Sequence, residues 1–252
     1  MGGGHRGAAP VSLPRFHVPG STAGALVELP IHAAHHAREV LRLRAGAAVR
    51  VFDGEGREFE AMLDSVSRQR VTVRLARAIP ARAESPLRLC LALSPLKGDG
   101  MELVIQRTTE LGVAEIWPVV TARTDAAARP SLQGSRQERW EKVASGAAAQ
   151  CGRAVVPRIA PATDLRALLA KPFAGTRILL HEAPGWPPLA SLPREDSALL
   201  LIGPAGGWEE SETARLSAAG FRPVGLGPRV LRAETAAIAA TSALQVLWGD
   251  LG

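Results

Sequence analysis

Leu199-Leu-Leu-Ile-Gly-Pro-Ala-Gly-Gly-Trp208 is an apolar run that breaks into a glycine-rich loop, with acids and a helical pattern behind it. A short unbroken apolar run marks a strand buried on both faces, as in a parallel sheet. Ligands of such sheets lie in the crevice past the carboxyl ends of the strands, which makes the loop a candidate site. Gly203, Gly206 and Gly207 let backbone approach a ligand where a Cβ would intrude. The loop has neither the spacing of the dinucleotide fingerprint nor the lysine of a phosphate loop. Taken alone, it is equally well read as a tight strand-to-helix turn.

Outward from this stretch, strand and helix alternate. Leu87 to Leu93 and Ala114 to Val119 read as strands, and Gly100 to Leu111 as a helix stopped by Gly112. Ser135 and Glu138 form a capping pair that opens a helix running to about Gln150. Arg177 to Leu180 is a further strand. Ser211 to Ala219 and Thr235 to Trp248 are helices, the second turning Ile238, Leu244, Val246 and Leu247 to the core. The expectation is an α/β domain over 87–252. Upstream, Ala25 to Ala76 is mostly strand-like, with Ala48 to Phe52, Arg57 to Val66 and Arg70 to Leu75 alternating apolar and polar residues, which suggests a small β-barrel over 13–80. One helix, Ile31 to Leu43, interrupts it after Pro30 and places His35, Arg38 and Arg42 along one face. Ala78 to Pro86 reads as a linker, and residues 1–12 as a disordered start.

The 252 residues are 46% hydrophobic, enough for a substantial core. No window reaches the roughly 18 apolar residues of a membrane helix, and no signal region opens the chain, so a cytoplasmic protein without a membrane partner is expected. Cys90 and Cys151 are too few for a disulfide scaffold and read as reduced thiols, Cys151 as structural. His32, His35 and His36 lack accompanying ligands at metal spacing, so no metal is expected. Net charge is +6, of which residues 1–86 hold +4 (12 Arg against 8 acids) and the rest +2 (18 basic against 16 acidic). A basic surface suits a phosphate-bearing partner, although an arginine-rich composition would give the same sum.

A second segment, Leu226-Gly-Pro-Arg-Val-Leu-Arg-Ala-Glu-Thr-Ala236, packs two arginines, a glutamate and a threonine between a strand and a helix. A bland reading has Glu234 and Thr235 capping the last helix with the arginines solvated.

Together these stretches resemble the SPOUT methyltransferases that act on N3 of a uridine in 16S ribosomal RNA. The resemblance covers nearly the whole chain: His35 to Arg44, Phe52 to Gly56, Lys97-Gly98, Met101-Glu102, Gln106, Thr109 to Val113, Gln150 to Arg153, Val156-Pro157, the glycine loop and Leu226 to Ala236. It implies a PUA-like β-barrel followed by a SPOUT α/β domain with a C-terminal trefoil knot, a homodimer, and S-adenosylmethionine (SAM) as methyl donor without metal. The implied activity is transfer to uracil N3, at the position numbered 1498, within the small ribosomal subunit. The resemblance places the cofactor against His181, Glu182, Ile202, Gly203, Pro204, Gly207, Leu226, Gly227, Leu231, Thr235 and Ala236. Deprotonating N3 asks for a base or for cations that favour the anion, roles for which Glu234 and, in turn, Arg153, Arg229 and Arg232 are the candidates. Arg15, His35, Arg38, Arg42, Arg44 and Arg229 are the expected RNA contacts. One departure stands out: the family's glycine loop usually carries a glutamate where this chain has Ala205, so that carboxylate is either missing or supplied by a neighbour such as Glu209 or Glu210. The competing readings are a non-catalytic RNA-binding protein with a degenerate cofactor site, and a nicotinamide-dependent oxidoreductase, which the absent fingerprint disfavours.

Overall fold

A computed structural model describes residues 13–126, 135–183 and 185–252. The expected disordered start and the Ser135 cap fall outside the residues and side chains so described. The chain divides into two units, Met1–Arg82 and Ala83–Gly252.

In the first unit β1 (Arg15–His17), β2 (Leu26–Glu28), β3 (Ala48–Phe52), β4 (Glu58–Val66) and β5 (Val71–Ile79) form one sheet in the order β1-β3-β4-β5-β2. β1 lies parallel to β3 and every other pair is antiparallel. The sheet has two edges, β1 and β2, so among the described residues the small β-barrel expected is a curled half-barrel. Alternation dictates its inside: Val49, Val51, Phe59, Leu63, Val71, Val73 and Leu75 are all buried. α1 (Ile31–His35) seats Ala33 and Ala34 on this core and runs on into a π-helical turn, His36–Val40, which adds Ala37. Three small residues let the segment lie close to the sheet. The wider turn breaks the spacing that was to align His35, Arg38 and Arg42. Arg38 turns to the Ser67 and Arg68 carbonyls at 3.0 and 3.2 Å, while Arg42 lies beyond the helix with φ 52°.

The second unit is a parallel sheet. Its strands are β6 (Arg88–Leu93), β7 (Glu115–Val120), β8 (Arg158–Ile159), β9 (Thr163–Asp164), β10 (Thr176–Leu180), β11 (Ser197–Ile202) and β12 (Phe221–Val224). The order is β12-β10-β11-β6-β7-β8, with β9 also on β7. β6 and β11 are central and paired along their full lengths, which explains why both read as unbroken apolar runs. Period-2 alternation sends Leu89, Leu91, Leu93, Ala198, Leu200 and Ile202 to one face, where α2 (Gly100–Glu110), α3 (Ser135–Cys151) and α6 (Ala233–Leu247) cover them. Cys90, Ala92, Leu199 and Leu201 face the other layer, made by α4 (Leu165–Ala170) and α5 (Glu210–Ala218). Burial there pushes the Cys90 thiol up to about 11, which leaves it inert as a nucleophile.

The last helix corrects one expectation. Its buried side is Ala233, Ala236, Ala237, Ala240, Thr241, Leu244 and Gln245, whereas Val246 and Leu247 are exposed. Gln245 is the surprise, since a buried amide must be paired. It donates to Leu111 O at 2.7 Å and accepts from Ser85 Oγ at 2.7 Å, tying α6 to the end of α2.

Candidate active site

Strands from β6 onward extend the sheet first to one side, through β7 and β8, and then to the other, through β10, β11 and β12. Such a reversal leaves a crevice at the carboxyl ends, and a cleft of about 620 Å³ lies there. Most of its wall is made by loops that leave a strand: Pro95 to Lys97 after β6, Arg123 and Asp125 after β7, His181 and Glu182 after β10, Gly203 to Gly207 after β11, and Leu226, Gly227 and Arg229 to Arg232 after β12, joined by Ala233, Glu234 and Ala236 of α6.

The glycine loop owes its glycines chiefly to the chain's own side chains. A Cβ on Gly203 would stand 2.7 Å from the Trp208 indole, and one on Gly207, whose φ is 72°, would strike the Glu182 carboxylate. Gly206 has only ordinary contacts with Arg123, whose guanidinium donates to the Gly206 carbonyl at 3.0 Å. Trp208 is buried, and its Nε1 is left without a partner beside this loop. Ala205 is exposed, and the Glu182 carboxylate lies against Gly207 of this loop. Glu209 is the N-cap residue of α5, and its backbone N–H is taken by Glu212.

The segment after β12 is built differently. Arg229, Arg232 and Glu234 all line the cleft, and none makes a side-chain hydrogen bond or ion pair among the described residues. Glu234 is half-buried in the first turn of α6. It is not locked in a salt bridge, and its Oε1 lies over Gly100 at the start of α2.

Of the expected cofactor residues, His181, Glu182, Ile202, Gly203, Pro204, Gly207, Leu226, Gly227, Leu231 and Ala236 line the cleft, and Thr235 does not. His181 Nδ1 accepts from the Ala183 N–H at 3.1 Å. Arg153 lies outside the cleft. It is buried, donates to the Thr109 and Val113 carbonyls at 2.7 and 3.1 Å, and pairs with Glu84 at 2.5 Å. Within this chain it is therefore a brace for the end of α2 instead of a cation facing a substrate. Arg15 is likewise occupied, by a two-point pair with Glu58 at 3.0 and 3.1 Å and by the Phe52 ring. His35, Arg42 and Arg44 are exposed.

Sequence reasoning overlooked Trp208, Leu96, Arg123 and Asp125. A signal existed for the last three, because every loop leaving a parallel strand at its carboxyl end is a candidate wall. Among the described residues no group of three His, Cys, Asp or Glu could hold a metal.

A parallel sheet with helices on both faces, a cofactor-sized cleft at its carboxyl ends and a small sheet domain before it define an α/β ligand-binding enzyme class with an appended module. The particular family follows from comparison. The model of the RNA methyltransferase domain matches residues 83–245, and that of the RNA methyltransferase PUA domain residues 31–76. The chain belongs to this RNA methyltransferase family. The ribosomal RNA small subunit methyltransferase E of Bacillus subtilis is 32% identical over 86% of this chain and 90% of its own. Two solved relatives carry SAM. A Legionella pneumophila protein described as a methyltransferase is 36% identical with TM-score 0.90, covering 96% of this chain and all of its own. The methyltransferase E of Neisseria gonorrhoeae is 33% identical with TM-score 0.86, covering 95% of this chain and all of its own.

Proposed function

We propose that the protein transfers a methyl group from SAM to N3 of one uridine, that numbered 1498, in the 16S RNA of the small ribosomal subunit. The observation that carries the reading is the cleft itself, where a glycine loop adjoins two arginines and a glutamate that are unpaired among the described residues. The cleft suits SAM in size, as specific small-molecule sites fall at about 300–1,000 Å³, and the unpaired Trp208 N–H supplies polar capacity beside the loop. His181, Glu182, the glycine loop and Leu226 to Leu231 would hold it. When bound, SAM supplies an electrophilic methyl on a sulfonium. Glu234 takes the N3 proton, and Arg232 and Arg229 stabilise the uracil anion and orient it. Deprotonation is the demanding half, because neutral N3 has no lone pair to offer.

The first unit, 13–80, contacts RNA, and 87–252 performs the transfer. Loops after β11 and β12 line one cleft while α6 returns to α2, an arrangement that fits the threading of a trefoil knot. Leu103 on α2 and Val246, Leu247 and Leu251 at the end of the chain leave apolar surface exposed, which suits a homodimer. Substrate location makes the cytoplasm the place of action. The test is to incubate small subunits from cells lacking the enzyme with labelled SAM and the protein, then to map the label by digestion and mass spectrometry. 3-Methyluridine at one position supports the reading; label on another base, on ribose or on protein overturns it.

A further inference from the structure

Almost every acid of the first unit is consumed by a neighbouring arginine. Glu58 holds Arg15 and Arg50, Asp53 holds Arg57, Asp64 holds Arg74, Glu60 holds Arg77, and Glu39 holds Arg38. Arg42, Arg44, Arg68 and Arg70 are exposed, and their guanidinium groups make no hydrogen bond or ion pair among the described residues. Among the described residues the unpaired positive charge of this unit is therefore concentrated at these positions rather than spread over the sheet.

Two pieces of chain carry them, and Arg38 fastens the pieces together. Its guanidinium reaches from the π-helical turn to the Ser67 and Arg68 carbonyls in the turn between β4 and β5. The same guanidinium holds Glu39 on the first piece, so the two pieces share one corner. Arg38 is thereby spent on construction, and Arg68 and Arg70 bring the free cations.

Arg42 adds a second, independent sign. The Leu43 N–H closes a wide turn onto Ala37 O at 2.9 Å, which forces Arg42 into the left-handed region, where glycine normally ends a helix. A side chain there costs about 1–2 kcal/mol, and among the described residues this guanidinium makes no hydrogen bond or ion pair that would repay it. A strained backbone that presents an unpaired cation is the mark of a contact made outside the chain.

We infer that this corner, with Arg42, Arg68 and Arg70 as its cations, is where the protein grips RNA phosphates, and that Arg42 keeps its strained backbone for that contact. The inference rests on the RNA methyltransferase reading and reassigns the contact from Arg38 to the Ser67 to Arg70 turn. The experiment measures binding of the full chain to a 16S RNA transcript across a salt series, with thermal unfolding alongside. R42G is expected to lower the slope of log affinity against log salt by about 1 while raising the unfolding midpoint by about 2 °C. R68Q/R70Q is expected to lower the slope by about 2, and R74Q/R77Q, whose arginines are already paired, to leave it unchanged. A wild-type slope in both R42G and R68Q/R70Q overturns this assignment and leaves the methyltransferase reading intact. A lower midpoint for R42G overturns the account of Arg42. A wild-type chain that neither binds nor methylates the RNA overturns both readings.

Discussion

The loop after β11 and the loop after β12 face each other across one cleft, yet they are made on opposite terms. In the first, Gly203 makes room for Trp208 and Gly207 for Glu182, and Arg123 is held by the Gly206 carbonyl. In the second, Arg229, Arg232 and Glu234 have no side-chain partner among the described residues. The first loop is shaped by the fold's internal demands; the second carries charges the fold does not use. Special residues in a site therefore fall into those that build it and those that act in it, and the two kinds should fail differently when changed.

The sharpest break comes at Glu234. Glu234→Gln keeps the shape and removes the proton acceptor, so methyl transfer should fall by about 10²–10⁴-fold with SAM affinity and unfolding midpoint unchanged. Transfer at the wild-type rate, measured with labelled SAM, would remove Glu234 from the second class.

Arg153 tests the opposite case. Arg153→Met leaves Glu84 and two carbonyls without their donor, so denaturant unfolding should show a loss of about 3 kcal/mol, while the folded fraction transfers methyl at the normal rate. A stable but inactive variant would mean that the arginine acts on substrate after all.

A smaller change is expected at Gly203, where a valine must displace the indole. Overpacking of about 1–3 kcal/mol should weaken SAM binding about 10- to 100-fold by calorimetry and also lower stability, since building and binding are joined at this position. Loss of binding with full stability would show that Gly203 serves the ligand alone.

The smallest effect lies in the first unit. Burial alone would raise the Asp53 carboxyl, but the Glu55 and Arg57 N–H groups and the Arg57 guanidinium outweigh it and hold it below the usual range. A carboxylate depressed in the folded state adds stability above its unfolded value of about 3.9, and this is lost as pH falls through the folded value. Asp53→Asn should therefore cost about 1–2 kcal/mol at pH 7 and flatten the acid limb of the stability profile below about pH 4. An unchanged acid limb would show that the pair adds nothing to folding.

Much of the parallel sheet was legible because burial on both faces leaves an unbroken apolar run, as at Leu89 to Leu93 and Leu199 to Ile202. The short outer elements were not. β8 and β9 have two residues each, too few for any period, and α4 has six. The π-helical turn was hidden for a related reason. Its signal is one displaced hydrogen bond, and the helical spacing of Ile31 to Leu43 looked continuous without it. At the site, the motifs that carry the resemblance pointed to the loops after β10, β11 and β12, and these loops line one cleft. The motifs could not show which side chains the fold would claim for itself. Arg153 and Arg232 look alike as letters, and only packing separates the buried brace from the unpaired cation.

The pairing of β6 with β11 has a consequence for synthesis. Leu89 to Leu93 leave the ribosome about a hundred residues before their partner Ser197–Ile202, an interval of roughly 5–20 s at ordinary rates of elongation. Through that interval a wholly apolar strand is missing the neighbour on one edge, the circumstance in which nascent chains stick to one another. The segment that ends as the most protected part of the enzyme is thus the one most in need of a chaperone while the chain is being made.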